Sequence, residues 1–500
     1  MVDVEINMSE PAGKGLLKNT FILSVVQIIN IVIKVLQNKV AAICLGTAGM
    51  GVLGIFNNTI HLLTTGCGLG IPQSAVRDIA AAEGSGDDER VNRIYAITTR
   101  IVLFTGLFGL ITTIILSGFF SNRLFGDKTY TLSFIILSSV VFLQILSEGY
   151  LAKLKGKQKF VDLAKCTITG AVIGLIITVP VYWWLKESGI ILALILIAVA
   201  QFIYVNLFVK KYKSARIRIP LRELFRESSP MIKMGISLMI VSFVGIGFNL
   251  IVAAIIRQGS SINDVGIYNA GATILTSYFG VLITAMSTDF YPRVSRVYDN
   301  DQELKVLVNR QCLLCLSLFF PIVVLFVFAA PFFISFLYTN EFISATEYTD
   351  YAMLGTLLLI CSNFLGIILL AKQKSTIFLS SVFIQRVFLI FIYYIFYNKW
   401  GMRGLGFSYV VTGLSDIFLM TIIMKHFFNI TLDRRVYLLL FIELLVTLGC
   451  MWFKTFDNLY IRYLSGIIIL ALSMMVSLVV LNKFLNINIK SLIVQFRNKL

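Results

Sequence analysis

The chain alternates between long apolar runs and short polar gaps. A helix needs about 20 mostly apolar residues to cross a bilayer. Runs of that length lie at 16–45, 50–72, 96–118, 130–152, 164–185, 189–209, 231–256, 265–291, 311–338, 348–371, 376–397, 404–424, 436–453 and 461–482. The pattern therefore predicts an all-α polytopic membrane protein with about 14 transmembrane helices.

Basic residues mark the two sides of this predicted bundle. Of the 43 lysines and arginines, 32 lie in or beside the terminal segments and even-numbered gaps, 8 lie in or beside the odd-numbered gaps, and 3 lie within spans. Because lysine and arginine are retained on the cytoplasmic side of a membrane, we expect both termini to be cytoplasmic.

Short sequence motifs recur six predicted spans apart. Gly54-Ile55-Phe56-Asn57 in the second span is echoed by Gly266-Ile267-Tyr268-Asn269 in the eighth, and Leu151-Ala152-Lys153 by Leu370-Ala371-Lys372. An even number of spans preserves orientation, so the repeat predicts two six-helix lobes related by a pseudo-two-fold axis along the membrane normal. We assign 1–215 to the N-lobe, 216–430 to the C-lobe, and 431–500 to two accessory helices and a cytoplasmic tail.

Composition agrees with a bilayer protein and narrows its partners. Hydrophobic residues make up 58% of the chain and charged residues 14%, and the mean hydropathy is +0.87. The net charge of +17 is spread beside apolar runs, which suits anionic lipid and not nucleic acid. The seven cysteines lie in or next to apolar runs and are interpreted as small hydrophobic residues, so no metal site is predicted.

Polar residues inside the spans are the candidate binding groups, because ionisable residues in a membrane tend to face a cavity or a partner. In the first span, Asn30, Lys34 and Asn38 are four residues apart and share one helical face. The candidate substrate-binding residues are Lys34, Asn30, Asn38, Asn57, His61, Asn249, Arg257 and Arg386. Two alternatives stay open: Lys34 snorkels to the headgroups, and His61 makes an interhelical hydrogen bond.

Charged pairs are the candidate ion-coupling or gate residues. Arg386 and Asp416 fall at similar depth on neighbouring antiparallel spans, where they form either a structural salt bridge or a functional pair. Three acids fall at span ends beside basic residues and are either gate pairs or ordinary helix-end pairs. They are Glu148 near Lys153, Asp78 near Arg77, and Asp289 near Arg293.

The short outer gaps argue against an enzyme. A membrane glycosyltransferase or polymerase needs an extramembrane segment on which to place catalytic carboxylates, and no such loop is predicted. No nucleotide-binding loop or hydrolase motif occurs either. We therefore expect a transporter with no cofactor, for which Na+ or H+ is the candidate coupling ion.

Three sequence segments resemble those of a known protein family. They are LLKNTFILSVVQIINIVIKVLQNKVAAICLGTAGMGVLGIFNN at 16–58, GLGIPQSAVRDIA at 68–80 and LAKLKGKQKF at 151–160. They are similar to Wzx-type O-antigen or polysaccharide repeat-unit flippases of the multidrug/oligosaccharidyl-lipid/polysaccharide exporter superfamily. Related lipid II flippases carry an arginine in the second span, where this chain has His61.

The resemblance implies a flippase of lipopolysaccharide or polysaccharide biosynthesis in the bacterial inner membrane. Such a protein moves an undecaprenyl-diphosphate-linked oligosaccharide from the cytoplasmic to the periplasmic leaflet by alternating access. Lys34 is the best match to a diphosphate-binding cation. The implied partners are the lipid-linked substrate, membrane lipid, and polysaccharide polymerase and chain-length proteins.

Two other functions compete with a flippase. One is a cation-coupled small-molecule exporter on the same scaffold, and the other is a membrane enzyme acting on the same lipid-linked sugars. An exporter of cations would present acidic residues in its cavity, whereas here the deepest charges include Lys34 and Arg386. The sign of the cavity charge therefore discriminates between cargoes, and an anionic cargo is favoured.

Overall fold

The regular structure is helical throughout the described part of the chain, which confirms the predicted all-α class. The computed structural model describes residues 11–85, 87–212 and 219–485; the predicted cytoplasmic tail beyond 485 lies outside them. The helices are α1 (Pro11–Cys67), α2 (Ile71–Ser85), α3 (Asp88–Phe125), α4 (Thr131–Gly156), α5 (Phe160–Leu185), α6 (Gly189–Lys210), α7 (Leu221–Gly259), α8 (Ile262–Thr273), α9 (Gly280–Arg296), α10 (Asp301–Leu337), α11 (Thr346–Ala371), α12 (Ser375–Phe428), α13 (Arg434–Lys454) and α14 (Leu459–Leu485).

Within those residues, 11 helical segments are long and apolar enough to cross a membrane. Three of them, of 42, 51 and 53 residues, are twice the length of one crossing or more. Each contains a break where the sequence predicts a gap: Gly46 in α1, Lys186–Ser188 between α5 and α6, and Gly401 in α12. Gly46 has φ 64° and Gly401 has φ 56°, a left-handed backbone that glycine adopts without steric cost. The total of fourteen crossings remains a prediction.

The segment 73–95, predicted as a connection, is largely helical. Helix α2 continues to Ser85, and α3 begins at Asp88 after the side chain of Asp87 accepts a hydrogen bond from the backbone N–H of Arg90. The buried residues of α2 recur at spacings of three and four and form one apolar stripe: Ile71, Ala75, Ile79 and Ala82. This stripe packs on α3, α4 and α7, and that packing explains the helix.

Contacts divide the chain into two compact units, Met1–Gly266 and Ile267–Leu500. In the first unit, α1 packs on α5 and α7, while α4 packs on α3 and α6. Helix α7, which the sequence assigns to the C-lobe, therefore lies against α1, α2 and α3. The lobe boundaries themselves remain predictions.

Helices of the first unit cross at two close glycine contacts. A Cβ added at Gly70 would lie 2.1 Å from the carbonyl oxygen of Gly235, and one at Gly235 would lie 2.4 Å from that of Leu69. Similarly, a Cβ at Gly51 would meet the carbonyl oxygen of Ile262 at 2.2 Å. At both places backbone packs directly on backbone, so only glycine fits.

The second unit is built around α11. This helix packs on α10, α12 and α13, and its central residues are buried on almost every side. Helices α13 and α14 pack on each other and on α10. An ion pair between Lys454 of α13 and Asp350 of α11, with a Nζ–Oδ2 distance of 2.7 Å, joins the ends of these two helices.

Candidate substrate cavity

A cavity of about 350 Å³ opens between α1, α4, α5 and α6 in the first unit. Helix α1 contributes Lys34 and Asn38 from one face, and Asn57 after the break at Gly46. Asn30 lies on the same stripe, but it is only 8% exposed and does not line the cavity. The polar spacing of the first span therefore places Lys34 and Asn38 beside an open space, and their binding of substrate stays a prediction.

Small residues of α5 make room for the polar side chains of α1. Gly170, Ala171 and Gly174 line the cavity. Gln37 donates from Nε2 to the carbonyl oxygen of Ala171 at 3.1 Å. A Cβ at Gly174 would lie 2.9 Å from that same nitrogen, so glycine permits the amide to sit there.

Among the described residues that line this cavity, Lys34 carries the only charge. The other polar lining groups are amides and hydroxyls: Gln37, Asn38, Asn57, Gln144, Thr167, Thr178, Tyr182 and Gln201. This set offers one cation and many neutral hydrogen-bonding groups, which is the chemistry that an anionic, hydroxyl-rich ligand requires.

Several lining residues were missed by sequence reasoning. Gln144 and Gln201 each interrupt an apolar run of α4 or α6, and this isolated polarity was an available signal. Gln144 also accepts a hydrogen bond from Thr64 of α1, at 3.3 Å between Oγ1 and Oε1. Tyr182 carried no such signal, because a tyrosine near the end of a span is typical of membrane helices.

A second cavity of about 290 Å³ lies in the same unit. Its lining includes His61 and Thr65 of α1, Glu148 of α4 and Ser242 of α7. His61 therefore does not share the cavity of Lys34, contrary to the expectation of one chamber. The imidazole Nδ1 lies 3.4 Å from the hydroxyl of Thr65, one turn away on the same helix.

The expected pairing of Glu148 with Lys153 is wrong. Lys153 donates to the hydroxyl of Thr99 at 2.7 Å, and its ammonium group lies 5.3 and 5.4 Å from the ring centres of Tyr95 and Tyr150. Five residues on a helix separate the acid and the base by about 140°, so the two side chains leave opposite faces.

The two other helix-end pairs do form. Arg77 contacts Asp78 with a nitrogen–oxygen distance of 2.7 Å, and Arg293 contacts Asp289 one turn earlier on α9. Both arginines are exposed, and such pairs contribute little to stability.

Arg257 and Asn249 of α7 line neither of these cavities. Arg257 donates from Nη2 to the carbonyl oxygen of Phe125, the last residue of α3, at 3.1 Å. A guanidinium at a helix C-terminus satisfies a carbonyl that has no partner within the helix. Asn249 is exposed on α7.

In the second unit, Asp416 of α12 is buried, with 8% exposure. It accepts a hydrogen bond from the hydroxyl of Ser362 of α11 at 2.5 Å. Arg386 lies on the same long helix before Gly401 and is half-buried. Its guanidinium is within electrostatic range of the Asp416 carboxyl group. The structure therefore adds Ser362 as a partner that the sequence did not suggest.

In the described ranges, no group of three or more histidine, cysteine, aspartate or glutamate residues could hold a metal ion.

The described chain is an all-helical bundle with helices long and apolar enough to cross a membrane, and its first unit contains a polar cavity. The model of the polysaccharide biosynthesis protein family matches residues 16–298, so the chain belongs to this family. The matched range includes all three sequence segments that resemble the family, and it confirms that resemblance. No curated protein sequence matches the chain.

Solved structures share the fold at low sequence identity. The lipid II flippase MurJ in an inward closed conformation superposes with a TM-score of 0.70 at 13% identity, covering 94% of this chain and all of that one. A multidrug resistance MATE family transporter of the MOP superfamily, inward-facing, gives 0.64 at 16%, covering 83% and 95%. A MOP superfamily transporter from Pyrococcus furiosus, described as having a binding pocket of reverse polarity, gives 0.54 at 16%, covering 84% and 96%.

Proposed function

We propose that this protein is a flippase for a polyprenyl-diphosphate-linked oligosaccharide, an O-antigen or related polysaccharide repeat unit. It would move this lipid from the cytoplasmic to the periplasmic leaflet of a bacterial inner membrane by alternating access. Family membership supports a role in polysaccharide biosynthesis, and the fold supports a transporter.

The observation that carries the proposal is the charge of the cavity beside α1. Among the described lining residues, Lys34 is the only charged one, and the other polar groups are amides and hydroxyls. A diphosphate carries about two negative charges and pairs strongly with an ammonium donor, while sugar hydroxyls pair with amides. A cationic drug would require an acidic side chain, and none is among the described lining residues.

The membrane potential supplies a direction for such a cargo. Moving one charge across the bilayer is worth about 2.3 kcal/mol per 100 mV. A cargo with about two negative charges that leaves a negative interior therefore gains about 5 kcal/mol per 100 mV if its full charge crosses. Outward movement of the diphosphate is then favourable without a nucleotide.

The test is transport by the purified protein in liposomes that contain a fluorescent polyprenyl-diphosphate oligosaccharide. We expect Lys34→Ala to lower the rate tenfold or more, which corresponds to about 1.4 kcal/mol, and Lys34→Arg to retain most of it. Lys210→Ala removes an exposed lysine at the end of α6 and serves as the matched control. Absence of transport by the wild type, or equal rates for Lys34→Ala and Lys210→Ala, would contradict the proposal.

A further inference from the structure

Helix α13 carries a carboxyl group that has no role in the cavity. Glu443 lies near the middle of the helix, nine residues after Arg434 and eleven before Lys454. It is 0% exposed, and neither side-chain oxygen has a hydrogen-bond partner among the described residues. A fully buried acid with two unsatisfied oxygens in a membrane helix is a candidate functional group.

In the described part of the chain, no side chain hydrogen-bonds to this carboxyl group and no cation is within electrostatic range of it. Helix α13 packs on α10, α11 and α14. The titratable groups identified next to it are thiols: Cys361 of α11, within electrostatic range, and Cys312 of α10, which is hydrogen-bonded to Cys361. The titratable residues of α14 lie towards its two ends: Tyr460, Arg462, Tyr463 and Lys483.

The nearest basic residues of α13 itself lie at its two ends. Arg435 and Lys454 are about 12 and 16 Å away along the helix axis. Arg435 rests on the ring of Phe484, 5.0 Å from its centre, and Lys454 is paired with Asp350.

These surroundings select a proton as the ligand. An ionised carboxylate buried without a partner costs several kcal/mol, whereas the neutral acid costs far less. Alkaline-earth ions require six or more oxygen ligands, and hard cations in general require oxygen. The neighbours identified around Glu443 are the thiols of Cys361 and Cys312 and the hydroxyl of Thr447, which donates to the Glu443 backbone carbonyl. The described residues therefore do not supply six oxygen ligands, and proton binding is the chemistry that fits.

We propose that Glu443 is a proton-binding site of the transport cycle, loaded in the conformation described here. The carboxylate binds one proton to become the acid, and releases it when movement of α13 against α10 and α11 admits water; no electron is transferred. This inference rests on the proposed flippase function, but its first test does not require transport.

The first test is labelling by dicyclohexylcarbodiimide, which is lipid-soluble. A protonated carboxyl group in an apolar place transfers its proton to the carbodiimide nitrogen, the carboxylate adds to the central carbon, and acyl migration gives a stable N-acylurea without a leaving group. We expect mass spectrometry to find this adduct on Glu443 at neutral pH, and at most a trace on exposed Glu341. Glu443→Gln should abolish it. No adduct on Glu443 would overturn the proposal.

The second test is coupling in liposomes with an imposed pH gradient. Glu443→Gln keeps the shape of the side chain and stays neutral, so it should transport with a rate that no longer responds to the gradient. Glu341→Gln is the matched control and should respond as the wild type does. A retained response in Glu443→Gln would overturn coupling at this residue.

The two tests separate the two proposals. If the wild type fails to move lipid-linked oligosaccharide while Glu443 is labelled, the flippase proposal fails and the proton site stands. If the wild type transports but Glu443 is neither labelled nor needed for the gradient response, the reverse holds. Glu443→Leu, which buries apolar atoms in the same place, checks that loss of coupling does not come from loss of folding.

Discussion

Arg257 shows how a residue predicted to bind substrate can instead hold two helices together. Its guanidinium donates to the carbonyl of Phe125 at the end of α3. Hydrogen bonds to charged groups contribute about 1.5–3 kcal/mol, so Arg257→Ala should destabilise the protein by about 2 kcal/mol and lower its melting temperature. Arg222→Ala removes an exposed arginine of the same helix and should leave it unchanged. Equal melting temperatures would show that the contact is not stabilising.

Because Glu443 is buried without a partner among the described residues, replacing it by an apolar residue should not lower the stability of the protein. Replacing a buried, unpaired acid by an apolar residue of similar volume is expected to be neutral or stabilising. Glu443→Met should therefore keep or raise the melting temperature while removing the gradient response. A structural role for the carboxyl group would instead make this variant less stable.

An ion pair outside the membrane-spanning segments predicts a pH dependence. Arg93 of α3 donates to Glu227 of α7 at 2.5 Å, and this hydrogen bond holds the pKa of the Glu227 carboxyl below its ordinary value. Since the folded-state pKa is lowered, the stabilisation is present above the unfolded pKa of about 4.3 and is lost as pH falls through the folded value.

In Glu227→Gln, the melting temperature should fall less in acid than it does in the wild type. Glu303→Gln, an exposed carboxylate on α10, should retain the loss. The measurement is the melting temperature between about pH 6 and pH 3, a range that brackets the ordinary carboxylate value. If the melting temperature of Glu227→Gln falls in acid as steeply as that of the wild type, the role given to this ion pair is contradicted.

At the scale of the helices, close glycine contacts fix how α2 and α7 cross. Gly235→Ala would place a methyl group 2.4 Å from the backbone oxygen of Leu69, so we expect separation of the two helices and a large fall in stability. Gly84→Ala, on α2, meets nothing within 4 Å and should be neutral or stabilise by about 0.5–1 kcal/mol. Similar melting temperatures for the two variants would show that the crossing is not tight.

Helical spacing predicts faces but not neighbours, and this limits what the sequence reveals about the site. The stripe of Lys34 and Asn38 follows from spacing along one helix, and both residues line one cavity. His61 could not be separated from Lys34 in this way, because the two lie on opposite sides of the Gly46 break. Gln201 joins the cavity through the packing of α5 on α6 and on α1, which no local pattern contains.

At the scale of the molecule, contacts between loops agree with the grouping that the basic residues predict. In the first unit, Lys157 pairs with Glu83 across two even-numbered gaps. In the second unit, Lys372 pairs with Asp301, again across two even-numbered gaps, and Arg403 pairs with Glu347 across two odd-numbered ones. Each of these three pairs therefore joins two gaps of the same parity, as an alternating helical bundle requires.

Cysteine labelling tests on which side of the membrane each set of gaps lies. The described cysteines are buried or half-buried, so a single exposed cysteine can be introduced and read with a membrane-impermeant maleimide. We expect Thr129→Cys and Lys399→Cys, in odd-numbered gaps, to be labelled in intact cells. Glu89→Cys and Asp299→Cys, in even-numbered gaps, should be labelled only after lysis. The reverse pattern would place both termini outside and would contradict the topology that the basic residues predict.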